Sequence, residues 1–182
     1  MRYRLLKTAF LILSAAASVA ADFAFSRSAA ADQAAAQTEE PRVEKVLVEK
    51  GERRLQLLDA SGAVLKSYTI ALGGDPLGHK QREGDGRTPE GRYTIDWRNP
   101  QSAYHLSLHI SYPDQDDTRR ANERGEDPGG MIMIHGMRNG LGWLGFLHQY
   151  VDWTDGCIAV TNAEMDEIWR LVPNGTPIEI RP

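Results

Sequence analysis

The chain has 182 residues, with 21 basic and 25 acidic side chains and a formal net charge of −4. No basic patch or tail interrupts that mild acidity, which argues against a nucleic-acid partner. It carries one cysteine, which excludes a disulfide framework within the chain.

At the N-terminus, Arg2, Arg4 and Lys7 precede the apolar run "AFLILSAAASVA" (Ala9 to Ala20), and small residues follow it. That order reads as a signal peptide over residues 1–31, with cleavage after Ala20 or after Ala31. An uncleaved anchor is the alternative. The run is broken by Asp22 and falls short of the ~20 residues a membrane span needs. Export to the periplasm or cell envelope is therefore expected. Losing residues 1–31 removes four basic side chains and one acid and moves the net charge from −4 to about −7. Residues 32–42, "DQAAAQTEEPR", read as a flexible tether. Residues 43–182 remain, enough for one domain with a real core.

This domain reads as mainly β (α+β). "VEKVLVEK" (Val43 to Lys50) is a strand, and "RLQLLDASGAVLKSYTIALG" gives two more around an Asp59–Gly62 turn. The glycine-rich "GGDPLGHKQREGDGRTPEG" (Gly73 to Gly91) lacks the ending of a phosphate loop and reads as a long surface loop. "GRYTIDW" (Gly91 to Trp97) follows as a strand. "AYHLSLHISY" alternates, with Leu106, Leu108 and Ile110 on one side and His105, Ser107 and His109 on the other. "DQDDTRRANERG" (Asp114 to Gly125) reads as a short polar helix whose charges face water. "MIMIH" (Met131 to His135) is apolar enough for a strand buried on both faces. "GLGWLGFLHQYVDW" (Gly140 to Trp153) reads as short helical pieces of a lid, with Trp143 and Phe146 over a substrate. "CIAV" is a strand. "TNAEMDEIWRLV" is a helix capped by Thr161 and Glu164, and "TPIEIRP" closes the chain as a strand.

The lone thiol raises the chemical question. Free cysteine usually packs as a small hydrophobe, yet Thr154, Asp155 and Gly156 before Cys157 make an exposed turn and not a core. A thiol attacks only as thiolate and needs a base or a cation nearby. Of five histidines, His135 ends the buried strand and is followed at once by Gly136. A histidine satisfied by a backbone carbonyl is the competing reading. His105 and His109 share a strand face but lie ~13 Å apart, too far to hold one metal ion, and no spacing here fits a zinc site.

"IHG" (Ile134 to Gly136) followed by "TDGCIAV" (Thr154 to Val160) resembles the signature of the L,D-transpeptidase catalytic domain, the YkuD family. "GDGRTPEGRY" (Gly84 to Tyr93) and "GTPIEI" (Gly175 to Ile180) resemble other stretches of it. The resemblance implies a mixed β-sheet or sandwich with a capped C-terminal helix and short helices in the lid. It makes Cys157 the nucleophile and His135 its base, steadied through the carbonyl of Gly136. Thr154 takes the family's Ser/Thr position, Gly156 admits the substrate, and backbone N–H groups over Asp155 to Cys157 form an oxyanion hole. No metal or organic cofactor is implied.

By the same resemblance, the substrate is a peptidoglycan stem peptide. Cys157 attacks a carbonyl at the L-centre of a diamino acid, and the thioester passes to an amine or to water. Carbapenems are implied as acylating probes. The position two after the cysteine, often Arg or Asn in the family, is Ala159 here. "GC-apolar-A-apolar-T" resembles a branch typified by YafK, which implies hydrolysis of peptidoglycan–lipoprotein links, with an envelope lipoprotein as substrate or acceptor. Three readings follow: an L,D-transpeptidase, a carboxypeptidase or amidase on the same fold, and a non-catalytic wall-binding domain with a structural thiol.

Overall fold

Alternating apolar residues make the first strands of a computed structural model of the chain, which describes residues 42–182 apart from Phe146, His148 and Gln149. The expected signal peptide, and the tether up to residue 41, lie outside the described residues. Strands β1 (Lys45–Glu49), β2 (Arg54–Leu58) and β3 (Val64–Thr69) form an antiparallel meander. Val46 and Val48 from β1 and Leu55 and Leu57 from β2 point into the core and are fully buried. Asp59 holds the β2–β3 turn by accepting from the N–H groups of Ser61 (2.8 Å) and Ala63 (2.9 Å).

The long strand β4 (Gly91–Ser102) joins two halves of the molecule. Its first residues pair with β8 (Pro177–Arg181), which lies parallel to β1. A register shift between Ile95 and Arg98 bends it, and its second half pairs with β5 (His105–Ile110). Strand β6 (Met133–His135) runs antiparallel to β5, and β7 (Ile158–Ala159) runs parallel to β6. One eight-stranded mixed sheet results, in the order β3-β2-β1-β8-β4-β5-β6-β7. It curls so far that its edges meet: Ala71, just beyond β3, pairs antiparallel with Ala159 of β7.

Two helices pack on this sheet. Helix α2 (Asn162–Leu171) starts in the expected capping box. Thr161 Oγ1 accepts from the Glu164 N–H at 3.3 Å, and the Glu164 carboxylate accepts from the Thr161 N–H at 2.8 Å. Such caps stabilise by ~1 kcal/mol. Its buried Met165 and Ile168 lie in the core, each stabilising by ~1.5–3 kcal/mol.

Helix α1 (Gln115–Glu123) corrects an expectation. Its charges do not all face water. The Asp117 side chain is 1% exposed and pairs with His79 at 3.0 Å, and it accepts from the Tyr93 hydroxyl at 2.9 Å. A buried carboxylate is tolerable only with such partners. Residues Gly73 to Gly91 form the expected long loop, mostly at the surface, but parts of it are tied into the interior. The buried Lys50 ammonium donates to the carbonyls of Gly78 (2.5 Å) and Thr88 (3.0 Å) and pairs with Glu90 (2.8 Å). Lys80 and Thr88 are buried as well. The expected strand at Met131 to His135 is shorter than its apolar run, since Met131 is exposed with φ at 57° and β6 begins at Met133. Among the described residues no helix is long and apolar enough to cross a membrane.

Candidate active site

Strand register brings the thiol and the imidazole together. In the β6–β7 pair, Ile134 faces Ile158 and His135 faces Ala159. Side chains alternate along a strand, so Cys157, two before Ala159, falls on the face of His135. Both line one cavity of about 380 Å³, with Tyr104, Met131, Trp153 and Asp155 among its other walls.

His135 is 5% exposed and its orientation is fixed. Its Nδ1 lies 2.7 Å from the carbonyl oxygen of Gly136. A carbonyl only accepts, so Nδ1 carries the proton and Nε2 is the basic nitrogen. Gly136 is needed for this. A Cβ there would lie 2.7 Å from Asn162 Oδ1 and 3.0 Å from His105 Cβ. Asn162 Oδ1 also accepts from the Met137 N–H at 2.8 Å, which ties the chain after His135 to the first residue of α2. The rings of Tyr104 and Trp153 flank the imidazole, with centroids 4.7 Å and 5.8 Å from it.

The turn before the cysteine is built by Thr154. Its hydroxyl donates to the Cys157 carbonyl at 2.8 Å and accepts from the Gly156 N–H at 3.2 Å. Gly156 has φ at +119°, and a Cβ there would come 2.4 Å from the Arg87 carbonyl oxygen. That is a position only glycine occupies without strain. The Gly156 N–H is taken by Thr154.

Cys157 is half-buried and unpaired. Its Sγ lies 3.7 Å from the Met131 carbonyl oxygen, a weak contact in which the thiol is donor. Burial pushes the thiol above its ordinary range, and the nearby Asp155 carboxylate adds to that. The Met133 N–H and the Lys80 ammonium oppose both.

Sequence comparison decides the family. A model of the L,D-transpeptidase catalytic domain (YkuD) matches residues 44–180. The chain belongs to that family. It is 34% identical over 129 residues to YafK of Escherichia coli (strain K12), whose name places it among the L,D-transpeptidases; the match covers 68% of this chain and 44% of YafK. Among solved structures, it is similar to the helical cell shape determining protein Pgp2 of Campylobacter jejuni, with TM-score 0.59 and 23% identity over 79% of this chain and 49% of Pgp2. Bd1075 of Bdellovibrio bacteriovorus gives TM-score 0.55 and 25% identity, covering 79% of this chain and 49% of that protein. An L,D-transpeptidase of Mycobacterium smegmatis gives 0.52 and 13%, covering 77% and 59%. The chain thus spans about half the length of the relatives it matches.

In this YkuD-family domain the expected site residues fall into two groups. Cys157, His135, Thr154 and Asp155 line the cavity, and Gly136 and Gly156 adjoin His135 and Cys157 in the chain without lining it. Trp143 does neither: it is 72% exposed, in a single 3₁₀ turn (Gly142–Leu144), and is not among the residues lining the cavity. Phe146, the other lid residue, lies outside the described residues. Trp153 is the tryptophan at the cavity wall. His105 and His109 pair separately, with Asp166 at 2.7 Å and Asp96 at 2.6 Å. Among the described residues no group of His, Cys, Asp and Glu is arranged to hold a metal ion.

The residues that brace the turn were not foreseen. Asp152 accepts from the Leu72 N–H at 2.9 Å and from Arg53 Nε at 3.1 Å. Gly73, Gly86 and Gly156 are stacked so closely that a Cβ on Gly73 would come 2.0 Å from the Gly86 carbonyl oxygen. The glycines of the Gly73–Gly91 stretch were the available signal.

Proposed function

We propose that the protein is an exported cysteine acyltransferase acting on peptidoglycan stem peptides in the periplasm or cell envelope. His135 Nε2 takes the Cys157 proton as Sγ attacks the carbonyl at the L-centre of a diamino acid. The oxyanion is received by the N–H groups of Asp155 and Cys157. The imidazolium returns the proton to the departing amine, and a thioester remains on Cys157. An incoming amine or water then attacks it, with His135 again taking the proton. The observation that carries this reading is the pairing of a thiol and an Nδ1-tethered imidazole on one face of adjacent strands, around one cavity. Donors preset for a developing oxyanion are worth ~3 kcal/mol each in acyl transfer.

A hydrolytic outcome, with water as acceptor, is the second reading. The likeness to the YafK branch favours it, and an envelope lipoprotein joined to the stem would then be substrate and not acceptor. Purified protein incubated with a disaccharide-tetrapeptide separates the outcomes by product mass. Crosslinked dimers mean transfer, and trimmed monomers mean hydrolysis. An adduct mass on the wild-type chain, absent from Cys157→Ala, is expected in either case. No product and no adduct would leave the wall-binding alternative, with a structural thiol.

A further inference from the structure

The cavity beside Cys157 is unbalanced in charge. Asp155 is the one carboxylate among its lining residues, and none of them is Lys or Arg. Asp155 is exposed, and among the described residues its carboxylate makes no hydrogen bond or ion pair. Other acids of the surrounding loops are matched. Asp152 pairs with Arg53, Asp75 with Arg87 at 3.0 Å, and Asp85 with Lys80 at 2.9 Å.

Asp155 also stands where its charge works against the thiol. A carboxylate near a cysteine disfavours the thiolate, and here it adds to the burial that already raises Cys157. The turn does not need this side chain. Thr154 makes the side-chain bonds that hold it, and Gly156 supplies its positive φ. A charge that neither builds the turn nor helps the sulfur is a local conflict, and such conflicts are expected where a side chain serves a ligand.

Reach selects the ligand group. Asp155 and Cys157 are two residues apart, ~6–7 Å along the backbone. In a diamino acid with a lysine-length side chain, six bonds of ~1.5 Å separate the carbonyl carbon from the far nitrogen, about 7 Å when extended. The ammonium can therefore meet the Asp155 carboxylate while the carbonyl is at the sulfur. Tyr104 and Trp153, two aromatic walls of the cavity, also suit a cation better than an anion.

We propose that the Asp155 side chain forms a cation subsite beside the thiol and takes the side-chain ammonium of the diamino acid whose carbonyl Cys157 attacks. The identity of this occupant rests on the acyl-transfer reading.

Two measurements test the subsite. The first needs no substrate. Cys157 is modified with two methanethiosulfonates, one carrying a trimethylammonium group and one a sulfonate. Each transfers its alkylthio group to the sulfur as a disulfide and releases methanesulfinate. The cationic reagent is expected to react faster, and Asp155→Asn should cut that preference about three- to fivefold. In the same variant neutral iodoacetamide should react faster at pH 7, because the thiol is raised less, so a lost preference is not lost reactivity. The second is binding of synthetic stem tetrapeptides by the full chain carrying Cys157→Ala, with lysine or Nε-acetyl-lysine at the diamino-acid position. The lysine peptide should bind about three- to fivefold tighter. The difference should shrink in high salt and vanish when Asp155→Asn is added. An unchanged reagent ratio in Asp155→Asn, equal affinity for the two peptides, a lysine preference that survives Asp155→Asn, or no binding of either peptide would each overturn the subsite. If the preference follows Asp155 in both measurements but the wild-type chain forms neither adduct nor product with the lysine peptide, the subsite stands and the acyl-transfer reading falls. If both peptides acylate Cys157 at equal rates, the reverse holds.

Discussion

Thr154→Val is the sharpest test of how the thiol is presented. Valine keeps the shape of threonine and removes its hydroxyl. Two backbone groups lose their partner: the Cys157 carbonyl, now at 2.8 Å, and the Gly156 N–H, at 3.2 Å. Thr154 is buried, so water replaces the hydroxyl poorly. Each stripped group costs ~1–3 kcal/mol, or ~2–4 kcal/mol together with some relaxation. For a domain of this size that lowers the melting temperature by roughly 5–15 °C. The rate should suffer more than folding does. In the proposed mechanism a relaxed turn takes the Cys157 N–H away from the oxyanion, and losing one such donor costs about 10²-fold. The assay is the time course of adduct mass on Cys157, run beside a thermal melt. Thr154→Ser keeps the hydroxyl and should retain most of both. A Val variant that acylates at the wild-type rate with an unchanged melt would refute the assignment of Thr154 as the builder of the turn.

Replacing His135 with Gln should slow acylation of Cys157 by a carbapenem by ~10²–10⁴-fold, while His105→Gln, whose ring pairs with Asp166, should change it little; equal losses would remove any special role for His135. Asp155→Asn removes one of the influences that raise the thiol, so alkylation by iodoacetamide should reach half its plateau at lower pH than in wild type; an unmoved pH profile would mean the carboxylate is too well solvated to matter. Asp85 gives a stability prediction. Burial disfavours its charge, yet the N–H groups of Gln81, Arg87 and Arg82 and the Lys80 ammonium hold its carboxyl down at about 2. Depressed in the folded state, it contributes stability that is complete above the unfolded value near 4 and is lost as pH falls toward about 2. The sum is ~2 kcal/mol, so Asp85→Asn should melt lower than wild type at pH 7 and converge with it in acid; a gap that persists at pH 2 would show that packing, and not charge, is responsible.

The strands of the site were legible because their signals are local. Period-two alternation marked β1 and β5, the Asp59–Gly62 turn marked β2 and β3, and the Thr161–Glu164 box marked the start of α2. Cys157 and His135 stood out by residue type and flanking glycines. Their juxtaposition did not follow from local signals, since it depends on β6 and β7 being parallel neighbours, a pairing between distant segments. The same limit hid Asp152, whose partners Arg53 and Leu72 lie far away in the chain. It also hid Ser107, which reads as the polar side of an alternating strand and is in fact buried on the cavity face. Trp143 and Trp153 could not be told apart within one aromatic stretch, because no periodicity there says which ring turns inward.

The closure of the sheet and the construction of the site are one event. Ala71 and Ala159 exchange both backbone bonds, at 3.0 Å and 2.9 Å, where the two edges of the curled sheet meet. Beside them the Thr154 N–H donates to the Leu72 carbonyl at 3.1 Å, and its carbonyl accepts from the Gly74 N–H at 3.0 Å. The turn that carries Cys157 is therefore held by the far edge of the sheet as much as by β6. This gives Ala159 a role different from a missing substrate contact. Its backbone is clamped on both sides, its side chain shares the face of His135, and it is 0% exposed. Interiors of that density feel even one added methylene. An arginine here would have to displace His135 or reopen the edge pairing before it met any substrate. What the alanine contributes is space beside the imidazole.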